Sequence, residues 1–185
     1  MYKYNTSPPP PPSLLLLLLF RVDSDTDESF FYWLDYGAGK DFDLSPAYPG
    51  RALLEHKRMK YCNRCEREAY AVTVDEAGMM FYTASKQVVS NEEKVMFVIG
   101  PDETLYVAEK VWGTFHHTSF LGGSVVLGAG SMMVTGGKLN LVNPHSGHYL
   151  PSPENFARCC AILESKGIRM DGVERGNIKV RVNLY

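Results

Sequence analysis

The densest group of side chains able to do chemistry lies in residues 113–123, GTFHHTSFLGG, and continues downstream in residues 146–149, SGHY. His116, His117 and His148 could serve as general bases, Ser119 as a nucleophile, and Tyr149 as a hydrogen-bond donor to a developing oxyanion. Gly122, Gly123 and Ser146 add backbone and hydroxyl donors of the kind that cradles a small anion. No G-x-S-x-G elbow presents a serine, however, and no carboxylate stands near in sequence to orient a histidine. Paired histidines in FHHTSF also have a plain structural reading: one ring turned inward and hydrogen-bonded, the other turned outward.

A second constellation is Cys62-Asn63-Arg64-Cys65, two thiols at the spacing of a zinc half-site or a redox pair. No second C-x-x-C completes it, and His145 and His148 have the wrong separation for a finger, so no metal site is expected. Cys159 and Cys160 fall on a helical stripe and read as small buried hydrophobes. Neither a phosphate loop nor a dinucleotide fingerprint opens a helix, so no cofactor is expected. Residues 51–67 hold Arg51, Lys57, Arg58, Lys60, Arg64 and Arg67 against Glu55 and Glu66. With Leu53, Leu54, Met59 and Tyr61 interleaved, this segment suits either a calmodulin target or a solvated basic face.

These groups need elements to position them. Residues 30–35, FFYWLD, read as an aromatic-rich strand, and residues 51–61 as a short surface helix. Three hairpins follow: residues 68–75 with the MMFYT run, 95–99 with 105–108, and 128–135 with 138–142. The last is turned by Gly136-Gly137, a dipeptide suited to positive φ. Residues 153–166 form a helix, with Ser152 as N-cap, Pro153 at the first position and Gly167 past the end. Phe156, Cys159, Cys160 and Leu163 share its inward stripe, and residues 177–184 read as a last strand. The expected class is α+β: one domain, residues 29–185, a mostly antiparallel sheet with one long C-terminal helix packed on it and a short surface helix. The Gly136-Gly137 turn is expected to bring residues 113–123 and 146–149 together as adjacent loops over one end of the sheet.

Composition sets the outer limits. With 185 residues, 45% hydrophobic and 22% charged, most of the chain can bury a core. A net charge of −2 supplies no broad field for nucleic acid or an anionic membrane. Pro8 to Pro12 and Leu14 to Leu19 make a low-complexity start, too short in its apolar part to span a bilayer and wrongly built for a signal peptide. Residues 1–28 are therefore expected to be a disordered tail, or a wrongly assembled start. Four cysteines, two of them adjacent, suit a reducing compartment better than a disulfide scaffold.

Four ordered blocks carry a family resemblance: FFYWLDYGAGK at residues 30–40, CEREAYAVTV at 65–74, LYVAEKVWGTFHHTSFLGG at 105–123, and SGHYLPSPENF at 146–156. Through them the chain resembles the region that follows the IQ motif in the plant IQ-motif-containing calmodulin-binding proteins, which have fungal relatives. The resemblance implies an intracellular calcium-signalling regulator, cytoplasmic and/or nuclear, whose partner is calmodulin and whose domain is an interaction module. The alternative is an enzyme of unstated reaction using the His/Ser/Tyr group. Family members carry an IQ motif upstream of this region, whereas this sequence has no Ile-Gln pair and its single glutamine is Gln87.

Overall fold

The computed structural model describes Thr26, Glu28, Ser29, Tyr32, Trp33, residues 36–41 and residues 59–176. The chain divides into two compact units, Met1–Arg58 and Met59–Tyr185. The expected tail of residues 1–28, apart from Thr26 and Glu28, lies outside the described residues. So do the basic helix up to residue 58 and the last strand from residue 177.

In the first unit the aromatic run is corrected from strand to helical turn at Tyr32 and Trp33. The Trp33 amide donates to Ser29 O and the Tyr36 amide to Tyr32 O, each at 2.8 Å, so local bonds override the β preference of the aromatics. Helical spacing also stacks Tyr32 on Tyr36, ring centroids 5.4 Å apart. A 3-10 helix, Ala38–Asp41, follows.

The second unit is mostly sheet. Among the described residues its seven strands are β1 (Ala71–Val74), β2 (Met80–Tyr82), β3 (Val95–Ile99), β4 (Leu105–Ala108), β5 (Gly128–Thr135), β6 (Lys138–Asn143) and β7 (Glu174–Arg175). They lie in the order β2-β1-β4-β3-β5-β6-β7. The three expected hairpins are present as antiparallel pairs, β1 with β2, β3 with β4 and β5 with β6. Gly136 and Gly137, at φ 53 and 80, make the last turn as their types require. β7 runs parallel to β6, so the sheet is mixed.

The sheet curls on itself. Residues 89–91 leave β2 and fasten to the β5–β6 turn: the Gly137 amide donates to Val89 O, Gly136 to Ser90 Oγ and Asn91 to Val134 O. All five residues of β3 are buried, as in a central strand covered on both faces. Val95, Phe97 and Ile99 enter one apolar cluster, while Met96 and Val98 enter the other. The period-2 alternation of a strand thus divides the unit into two cores.

Among the described residues this unit has three short helices, α1 (Arg64–Glu68), α2 (His117–Leu121) and α3 (Pro153–Ser165); α2 and α3 bury residues against the cores, whereas α1 buries none. Residues 59–61, expected to end a surface helix, carry no helix; α1 begins only after Asn63, whose side chain accepts the Glu66 amide while the Glu66 carboxylate accepts the Asn63 amide. The expected α+β class, a long C-terminal helix layered over a sheet, is likewise corrected to a mostly-sheet unit with short helices. α3 starts where expected, with Ser152 Oγ accepting the Asn155 amide. It has only thirteen residues, about 20 Å of helix. It is stopped by a left-handed Gly167 whose amide donates to Glu164 O while Ile168 donates to Leu163 O. Strands stand about 4.8 Å apart, so a rod of this size cannot cover all seven, and the sheet closes its core by curling. Among the described residues no helix is long and apolar enough to cross a membrane.

Candidate functional site

The two histidine-bearing segments do meet, over a face of the sheet and not over its end. Phe115 and Phe120 are buried with Met96, Val98, Tyr106, Ala108 and Ala129, and Tyr149 packs against that cluster. Aromatic edges hold the layer together: Phe120 meets Phe115 and Tyr70 edge-on at centroid distances of 5.3 and 5.7 Å and stacks on Tyr106 at 6.0 Å. α2 is therefore pinned to the sheet by its apolar side, and its polar residues are placed relative to that anchor.

Each candidate polar group has a definite partner. His117, inward and buried, reaches Gly130 O with its Nε2 at 2.8 Å; a carbonyl only accepts, so Nε2 carries the proton. Burial holds its pKa below the usual histidine value, opposed by the bond to Gly130 and assisted by His148, Lys110 and His116. Ser119 is fully buried, and its Oγ accepts the His116 amide at 2.9 Å, tying the first turn of α2. In addition, Ser119 O accepts the Cys62 amide at 2.8 Å. The Gly122 amide donates to Thr118 O, and so does that of Gly123 at 3.0 Å, so both close the helix and neither is left to cradle an anion. Ser146 is buried and accepts the Tyr149 amide on Oγ at 3.3 Å. The Tyr149 hydroxyl donates to Ser124 O at 3.1 Å, and burial pushes its pKa up to about 12.

His116 is the outward ring of the pair. It stands against His148, ring centroids 5.8 Å apart and planes tilted by 54°. Burial lowers its pKa, followed by the positive charge of Lys110 and the neighbouring His148. The Lys110 ammonium lies 3.8 Å from the centre of the Trp112 ring, and Trp112 is 83% exposed.

Of the basic candidates, Arg51, Lys57 and Arg58 lie outside the described residues. Lys60 is exposed, and its amide donates to Thr114 O at 2.7 Å, placing it beside the turn that carries Trp112. The C-x-x-C is divided: Cys62 is buried, its thiol pushed up to about 11 by burial, whereas Cys65 is exposed on α1. Among the described residues no group of three or more His, Cys, Asp or Glu side chains could hold a metal ion.

Sequence reasoning overlooked Gly130, Lys110 and Trp112. For Gly130 a signal was present, a G-x-G inside a strand, which marks a close backbone approach. A Cβ there would collide with the Asn143 carbonyl oxygen and stand 2.9 Å from the Phe97 ring.

Residues 66–156 match the family model described as the IQ motif-containing protein middle domain. IQ domain-containing protein IQM4 of Arabidopsis thaliana is 38% identical over 159 residues, 85% of this chain and 30% of the relative. IQM2 of the same plant is 39% identical over 153 residues, 80% of this chain and 25% of the relative. IQM1 is 37% identical over 163 residues, 88% of this chain and 33% of the relative. The chain thus spans a third or less of the length of these curated relatives. No solved structure matches it.

Proposed function

The chain belongs to the IQ motif-containing protein family, with residues 66–156 as its middle domain, and from that premise we propose that it is a non-enzymatic interaction domain of a calmodulin-linked calcium-signalling regulator. One observation carries the non-enzymatic reading: the polar groups of residues 113–123 and 146–149 serve as fasteners. His117 holds the β5 backbone, Ser119 the start of α2 and Tyr149 the backbone at Ser124. A buried serine hydroxyl already engaged by an amide is poorly placed to attack a substrate.

The calmodulin part of the proposal draws on the family and on the basic segment. Arg51, Lys57, Arg58 and Lys60, interleaved with Leu53, Leu54, Met59 and Tyr61, would suit an acidic partner with an apolar groove. Residence in the cytoplasm and/or nucleus belongs to the same proposal and agrees with four free thiols.

A pull-down on calmodulin, with and without calcium, tests this reading on the chain and on a variant with Arg51, Lys57, Arg58 and Lys60 all changed to alanine. Capture of the chain, weakened about tenfold or more in the variant, is the expected result, since several charge contacts are removed together. No capture in any condition removes calmodulin from the account.

A further inference from the structure

We propose that the His116–His148 contact is a pH-operated clasp, which holds the β6–α3 loop (residues 144–152) against the start of α2 at neutral pH and releases it on acidification. The argument starts from placement. The two rings come from loops about thirty residues apart in the chain, and they meet at 5.8 Å on the outer side of the layer that covers the second core. Beyond this ring contact, the loop is held to the α2–β5 connection by the Tyr149 hydroxyl on Ser124 O. Within itself it is closed by the Leu150 amide on Ser146 O and the Tyr149 amide on Ser146 Oγ. Opening parts, among other contacts of the loop, the ring contact and the Tyr149 hydroxyl bond, and with the packing of Tyr149 gone the turn closed by Ser146 loosens and frees the Tyr149 and Leu150 amides.

Among the described residues, the charges that act on His116 and His117 are of one sign. Lys110 from the β4–α2 loop and His148 from the β6–α3 loop act on His116, and His117 beside it feels both of these and His116 as well. Lys60 is joined through its amide to Thr114 on the same loop. No carboxylate acts on His116 or His117 among the described residues to neutralise an added proton. A proton on the clasp thus meets an ammonium and a second imidazole across a short gap, and separation of the loops relieves it.

The sign follows from linkage. The closed form lowers the His116 pKa from its ordinary 6.5, so the open form binds the proton more readily. The clasp is intact above 6.5 and weakens as the pH falls through that value toward the lowered one. Any partner reading the surface made by these two loops would bind it in a pH-dependent way.

Hydrogen exchange on the whole chain, corrected for intrinsic rates, tests the clasp by following amides of residues 149–150 and of α2 at about pH 7.5 and about pH 5.5. The expected result is a loss of protection at Tyr149 and Leu150 on acidification, with the Gly122 and Gly123 amides and the sheet unchanged. The His116→Gln variant, which keeps a polar side chain but removes the ring whose proton affinity the closed form lowers, should lose most of that pH dependence. Equal protection at both pH values in the parent chain overturns the proposal. So does an undiminished pH response in His116→Gln, and so does a loss that begins at α2, which would assign the effect to the buried His117.

Discussion

Gly130 is a residue whose identity is dictated by what surrounds it. Its α-carbon faces the Asn143 carbonyl and the Phe97 ring, and its own carbonyl accepts the His117 imidazole. Gly130→Ala should therefore destabilise the unit by about 1–3 kcal/mol through overpacking. Urea unfolding would measure this, and a neutral result would mean that β5 and β6 can separate at no cost. The thiols offer a second prediction at this scale. Burial holds Cys62 near 11 and Cys159 near 12, and raises Cys160 as well, whereas Cys65 is exposed. Since the thiolate is the reactive form, a maleimide at about pH 8 should label Cys65 first and the other three only on unfolding. Peptide mass spectrometry of timed samples checks the order. Residue types told that these groups matter; they could not tell that Ser119 and His117 would be engaged by backbone, because that depends on where α2 crosses the sheet.

α3 shows how a short element can be legible in its ends and misread in its weight. Ser152, Pro153 and Gly167 mark its limits through local bonding, which sequence expresses directly. How much sheet it covers depends on the curl between distant strands, and no local pattern records that. The buried stripe differs from the spacing pattern at two positions: Cys159, Cys160 and Leu163 are buried, Ile162 joins them, and Phe156 is only partly buried. Leu163→Ala should cost about 2–5 kcal/mol, and Phe156→Ala less than the roughly 3–5 kcal/mol of a fully buried ring. Ser152→Ala should cost about 1 kcal/mol through the lost cap. Thermal and urea denaturation of the three variants would rank them; a larger loss at Phe156 than at Leu163 would contradict the packing described above. The strand at residues 30–35 failed for a related reason. Aromatic β preference is a weak local tendency, and i to i−4 bonds at Trp33 and Tyr36 outweigh it.

For the molecule as a whole, the three hairpins were legible because each is closed by a turn of a few residues, whereas the pairings β1–β4, β3–β5 and β6–β7 join segments far apart in the chain. The curl has one further consequence, and it concerns other copies of the chain. A strand at the end of a sheet ordinarily presents unpaired amides and carbonyls on which a neighbouring molecule can add its own strand and begin to polymerise. β2 stands at such an end, yet its outward backbone groups are all occupied. The Met80 amide donates to Gly137 O and Met80 O accepts from Val89; the Tyr82 amide donates to Gln87 O and Tyr82 O accepts from Lys86. Residues 86–91, with no chemistry of their own, thereby act as a guard rail that denies intruding strands a foothold on β2.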